Sequence, residues 1–251
     1  YPLGVGAEDL SKTYSGTPTN VTFNNPGHLT RNNNGTLESA VSANQDAGFS
    51  IVKYTGNGTA GATVGHGLLA KPQFILFKNL DTSVSWIAYD TINNVIGYLD
   101  GTDSLTDGRR AWAVNNTDPT NTLVTLGNNQ ATNAASNFIM YCWHSVSGYS
   151  KIGSYTGGSV PNIVTTGFKP SFLLIKVINR SNNSWILIDS ARDKDIGNSN
   201  YLRPNLANAE VGSSNTTISI DLVDNGFILQ NNYESVNYTA STTEYMYMAF
   251  K

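Results

Sequence analysis

Short apolar or alternating runs recur along the chain with clusters of Gly, Asn, Asp, Ser and Thr between them, a pattern that predicts many short strands. The clearest in the first part are Phe49 to Tyr54, Phe74 to Lys78, Trp86 to Asp90, Leu123 to Leu126 and Phe138 to Trp143. Later come Tyr149 to Tyr155, Phe172 to Val177, Trp185 to Asp189, Phe227 to Gln230 and Tyr245 to Phe250. No segment sustains a 3.6-residue apolar period between caps; Leu202 to Glu210 has room for one turn of helix. In the run from Phe74, alternation sets Phe74, Leu76 and Lys78 on one face and Ile75 and Phe77 on the other. Both faces are apolar there, and the same holds for Phe172 to Val177 and Trp185 to Asp189. Such strands must be covered twice, once by the interior of their own sandwich and once by a loop, a sister unit or another subunit.

The strands fall into two sets. Gly48-Phe-Ser, Lys53-Tyr54-Thr55-Gly56, Pro72-Gln-Phe74 and Trp86-Ile-Ala-Tyr-Asp90 return as Gly148-Tyr-Ser, Ser154-Tyr155-Thr156-Gly157, Pro170-Ser-Phe172 and Trp185-Ile-Leu-Ile-Asp189, offset by 98 to 101 residues. This predicts a duplicated unit and an all-β protein of two tandem antiparallel sandwiches. The expected organisation is an extended arm over residues 1–47, a first repeat over 48–147 and a second over 148–251. The arm or linker is turn-rich, with Asn24-Asn-Pro26-Gly27 and Asn32-Asn-Asn-Gly35, and has room for one or two short strands, Val21 to Phe23 being the best candidate.

If each lysine run and tryptophan run form a hairpin, Lys78 meets Trp86 and Lys176 meets Trp185. Cation–π contacts of roughly 0.5 to 1 kcal/mol would follow. Stacking of these indoles on sugar rings is the functional alternative, but their place in apolar strands favours a structural role. Loops are where the sets differ. Thr91 to Asn121 carries Tyr98, Arg109, Arg110, Trp112 and Asn115, an aromatic and planar-polar set that suits a glycan platform. The alternative is that Trp112 anchors its loop to the core.

Composition narrows the chemistry. Charged residues make up 13% of the chain and the formal net charge is -3, which gives no electrostatic footprint for nucleic acid or anionic lipid. No stretch has the length of a membrane-spanning helix. Cys142, the one cysteine, lies in an apolar run and is expected as a small buried hydrophobe. His28, His66 and His144 lack metal-pair spacing, and Asp189 to Asn198, though acidic, lacks the terminal Glu of a calcium loop. Nucleophile elbows and phosphate loops are absent, and the five glutamates form no closely spaced pair of the kind glycoside hydrolysis uses. The expectation is no catalytic set, no metal and no cofactor.

The framework segments together carry a resemblance. Thr36 to Tyr54, Thr55-Gly-Asn-Gly58, Val64-Gly-His-Gly67, Tyr141-Cys-Trp143, Gly148 to Gly157, Thr166 to Phe172, Asn225-Gly-Phe227 and Tyr245 to Phe250 resemble a duplicated domain of uncharacterised function. That domain occurs in virion structural and tail-fibre-like proteins of marine tailed bacteriophages, and the similarity spans about residues 36 to 251. The resemblance implies jelly-roll or concanavalin-like β-sandwiches in a fibre, spike or capsid decoration subunit at the virion surface, outside the cell. Its expected partners are itself as a homo-oligomer, trimeric by analogy with phage fibres, and other virion proteins. Host surface glycan is the further candidate partner. A carbohydrate-binding module and, behind it, a polysaccharide depolymerase are the competing functions.

Overall fold

Each segment whose alternation marks it as a strand is one in the computed structural model, with ends moved by a residue at most. The structure describes residues 30–192, 199–212, 217–239 and 242–251. In chain order the strands are β1 Thr30–Asn32, β2 Ser39–Asn44, β3 Phe49–Thr55, β4 Thr63–Gly65, β5 Phe74–Asn79, β6 Ile87–Asp90, β7 Val95–Tyr98 and β8 Leu123–Thr125. Then follow β9 Asn137–Trp143, β10 Ser150–Thr156, β11 Asn162–Thr165, β12 Phe172–Val177, β13 Ile186–Asp189, β14 Ile220–Val223, β15 Gly226–Leu229 and β16 Glu244–Phe250. A short helix, α1, covers Arg110–Val114.

The fold is all-β and sandwich-like, with antiparallel sheets in the orders β1-β2-β3-β9-β5-β6-β7, β10-β16-β12-β13, β11-β15-β14 and β4-β8. Three apolar cores separate these layers. The first joins the β4-β8 pair to the seven-stranded sheet through Val64, Val124, Ile75, Phe77 and Met140. The second joins the four-stranded to the three-stranded sheet through Leu173, Ile175, Tyr245, Phe227 and Ile220. The third lies between the two large sheets and contains Phe74, Ala88 and Leu105 on one side and Ile152, Leu174, Trp185, Met246 and Met248 on the other. The doubly apolar strands are thereby explained: Ile75 and Phe77 of β5 enter the first core, while Phe74 faces the third. The second cover is the other half of the same chain.

Within the two large sheets, β3-β9-β5-β6 and β10-β16-β12-β13 run in the same order. The residues that recur in the sequence make matching ties. Tyr54 donates its hydroxyl to Thr132 O at 2.6 Å and Tyr155 donates to Val236 O at 2.6 Å. Next in line, Asn133 Oδ1 accepts from Asn57 N and Asn237 Oδ1 from Gly158 N, at 2.9 and 3.0 Å. The glycines between are forced by the loop that crosses them: a Cβ on Gly56 would sit 2.2 Å from Ala134 O, and one on Gly157 2.5 Å from Tyr238 O. Asp90 and Asp189 each cap the turn that follows their strand, accepting from Ile92 N and Arg192 N at 3.0 Å.

Two expectations change. Residues 30–47 hold the one or two short strands expected of the arm, but they are joined to the first unit: β1 pairs with β2 and β2 with β3, extending that sheet, and the Ser and Ala of β2 hide its alternation. The rest of that segment, with Val21 to Phe23, lies outside the described residues. Leu202 to Glu210 holds no helix, since Leu202 exchanges backbone hydrogen bonds with Leu187 at 3.0 Å on the edge of β13. The helical turn is instead α1, which Asn115 ends in the left-handed conformation at φ 51°.

Candidate functional site

The turn between β5 and β6 projects beside α1 and the segment before β9, and an open cleft of about 810 Å³ lies between them. Lys78, Trp86, Tyr98 and Trp112 line it, with Ser83, Ser85, Asp100, Asn129 and Gln130 around them. Each aromatic is half-buried, anchored on one side and open on the other. Trp112 and Tyr98 pack against the first core, so the anchoring role foreseen for Trp112 and its place in a cleft hold together. Lys78 donates to Val84 O and lies 5.9 Å from the Trp86 ring centre, the expected cation–π pair.

The other residues of the expected platform are engaged elsewhere. Arg109 stacks its guanidinium 4.7 Å from the centre of the Tyr98 ring, donates to Ser104 O and Ile96 O at 2.9 and 3.2 Å, and pairs with Asp103 at 3.5 Å. Arg110 pairs with Asp118. Asn115, as the helix cap, is exposed and is not part of the lining. Neither arginine offers a free fork to an anion in the cleft.

The second lysine–tryptophan pair departs from expectation. Lys176 is fully buried and donates to Asn183 O and to Thr102 O at 3.4 Å, and Trp185, also fully buried, gives its indole N–H to Tyr98 O at 3.0 Å. The cause is the docking of the β12–β13 turn onto residues 98–105, which also includes the bond from Leu105 N to Ile178 O at 2.8 Å. Burial lowers the Lys176 ammonium to about 8, against a raising effect from Asp103. By contrast, Trp86 and Trp112 keep their indole N–H groups free of protein acceptors among the described residues.

Ser83, Ser85, Asp100, Asn129 and Gln130 were missed by the sequence reading; only the run Asn128-Asn129-Gln130, polar and next to a strand, hinted at them. Elsewhere the titratable groups are structural. His66 is buried, accepts at Nδ1 from Leu68 N at 3.2 Å and faces Thr120 O with Nε2 at 3.3 Å; burial lowers it to about 4. Cys142 is fully buried and burial pushes its thiol up, as expected of a packing residue. Burial also raises Asp90. No group of three or more His, Cys, Asp or Glu gathers for a metal among the described residues. Most of the acidic loop after Asp189 falls at 193–198, outside them.

An all-β, sandwich-like protein with an open, aromatic-lined polar cleft is thus the class that fold and site define. The chain belongs to the family described as a domain of unknown function, DUF7483, whose model matches residues 12–251 and so spans both large sheets. No curated protein and no solved structure matches it.

Proposed function

We propose that the chain is a non-enzymatic structural module of a bacteriophage particle, a fibre, spike or decoration subunit, built from two copies of one sandwich unit and presenting the first copy's cleft to the host surface. The observation that carries this reading is the sheet-on-sheet core that locks the halves together while the first half keeps Trp86 and Trp112 uncommitted. The equal strand orders and matching Tyr, Asn and Gly ties support the duplication, and the phage resemblance of the framework segments supports the setting. Mass spectrometry and imaging of purified particles test it: the chain at a defined outer position is expected, and its absence from particles sinks the proposal.

A second reading is favoured by the cleft itself. Half-buried indoles with unspent N–H groups beside hydroxyls and amides suit a sugar ring, which offers C–H faces for stacking and oxygen acceptors. With Arg109 and Arg110 paired internally, an uncharged saccharide fits better than an anionic one. Hydrolysis is disfavoured because the lining has one carboxylate, Asp100, where the reaction takes two. A glycan array read with wild type and Trp112→Phe checks this; loss of neutral-glycan signal in the variant is expected, and an unchanged signal counts against the cleft.

A further inference from the structure

The two halves carry the same sheet face; among the described residues the second half's is covered throughout, whereas the first half's is covered at Phe74 and Ala88 and open beyond them. Pairing registers set Ile51, Leu76, Ile139 and Tyr141 of the first half in the places of Ile152, Leu174, Met246 and Met248 of the second. In the second half these are 2%, 9%, 0% and 4% exposed, because they pack on the first half. All four first-half equivalents are half-buried, Leu76 at the margin of that same core and Ile51, Ile139 and Tyr141 outside it. Around them Tyr141 stacks with Phe49, Trp143 and Trp86 at ring separations of 6.4, 6.0 and 6.3 Å, so an aromatic strip continues from the covered core onto open surface. The contrast extends to the hairpin tips, where Trp185 is 0% exposed and bonded whereas Trp86 is half-buried with its N–H unspent.

The second half's face is covered by Phe74, Leu76 and Ala88 of the facing sheet and by the β7 end of the first half: Val95, Leu99 and Leu105, with carbonyls of Tyr98 and Thr102 taking the Trp185 and Lys176 donors. The second half has an end of the same construction. Leu202 pairs with Leu187 beside β13, as β7 pairs with β6, which puts Arg203 at the register position of Tyr98. Each of the two residues starts a turn, closed by Gly101 N to Tyr98 O at 3.4 Å and by Leu206 N to Arg203 O at 3.0 Å. Asn205 in the second turn accepts from Trp185 N at 3.1 Å, while residues 206–210 are exposed, Leu206 by 43%.

We propose that the chain associates head to tail with a second copy, residues 203–210 of one copy capping the Ile51, Ile139, Tyr141 and Trp86 face of the next as residues 98–105 cap the equivalent face within the chain. The contact is heterologous, so it closes into a ring or continues as a filament depending on the rotation per step. It holds independently of whether the protein belongs to a virion and of what the cleft binds.

Complementation tests this. Ile51→Asp spoils the face and Leu206→Asp the turn, both at positions that are at least partly exposed, and thermal melts establish that each variant folds. Light scattering on wild type is expected to show mass rising with concentration or settling at a closed ring, and each variant alone to stay at 27.0 kDa. Mixed one to one, the variants retain one intact face and one intact turn between them, so a species of twice that mass forms. A wild type monomeric at every concentration reached, oligomers that survive both substitutions, or a mixture that stays monomeric overturns the proposal. Loss of cleft binding by Trp112→Phe with association intact bears on the glycan reading alone.

Discussion

Acid should weaken this protein through one buried imidazole. His66 lies in Gly65-His66-Gly67, on the connection from β4 to β5, fully buried. Its Nδ1 accepts from Leu68 N, so the neutral ring fits with its other proton directed at Thr120 O, while a proton added at Nδ1 would oppose the Leu68 N–H. Desolvation is the main reason that its pKa falls from 6.5 to about 4; the Thr120 carbonyl opposes this, and nearby His144 adds a little to it. The sign follows from linkage. Above pH 6.5 neither state holds the proton and the stability is complete. Between 6.5 and about 4 the unfolded chain takes up a proton that the folded chain refuses, so stability falls, and below that window the loss is finished. At about 1.36 kcal/mol per tenfold step, the full loss is roughly 3 kcal/mol. Urea unfolding of wild type and His66→Gln across this range measures it. The variant starts less stable, by about 1 to 3 kcal/mol for the unmet Leu68 N–H and altered packing. Its stability should then decline less than wild type's by roughly 3 kcal/mol on acidification. The comparison cancels Asp90 and Asp189, which burial raises and Arg192 lowers, respectively, because both chains keep them. Parallel stability curves for the two proteins would refute the assignment.

Other perturbations separate the two halves. Trp185→Ala should cost about 3 to 5 kcal/mol in urea unfolding, as a fully buried indole with a bonded N–H is lost, while the half-buried Trp86→Ala costs clearly less. Gly56→Ala should destabilise by more than the ~1 kcal/mol of an ordinary Gly position, because its Cβ meets backbone at Ala134; a melting temperature equal to wild type's would show that the loop yields. A thiol reagent should label Cys142 only after urea unfolding, and rapid labelling of native protein would contradict its burial.

What the sequence made legible was whatever one strand decides for itself. Phe74 to Lys78 shows by alternation alone that it needs two covers, and Tyr54 and Tyr155 recur because each must reach a carbonyl of the loop before the last strand of its half. The misses share a cause. Arg109 and Arg110 have the composition of a ligand site, yet Asp103 and Asp118 occupy them, and no periodicity reports a partner several residues away in a loop. The buried amides of Asn133 and Asn237 were equally invisible among many Asn residues, since nothing in spacing tells a buried Asn from an exposed one. In β1 a length of three residues, and in β2 the small Ser and Ala side chains, removed the apolar contrast on which strand recognition depends.

Trp86 and Trp185 show why a repeated residue does not carry one role. Each follows a lysine strand and opens the partner strand of a hairpin, so the sequence treats them alike. Their difference comes from the neighbour: residues 98–105 take the Trp185 N–H and bury the ring, and no described segment does so for Trp86. Trp86 therefore lies both in the cleft and on the open face. A copy seated on that face would claim the indole that a sugar in the cleft would use. Two ligands that compete for one group are linked by a coupling free energy that acts equally in both directions. Neutral glycan should then reduce association by the same factor by which association reduces glycan affinity, whereas Leu206→Asp, which blocks the turn and leaves the cleft untouched, should free the wild-type cleft to bind at its full strength.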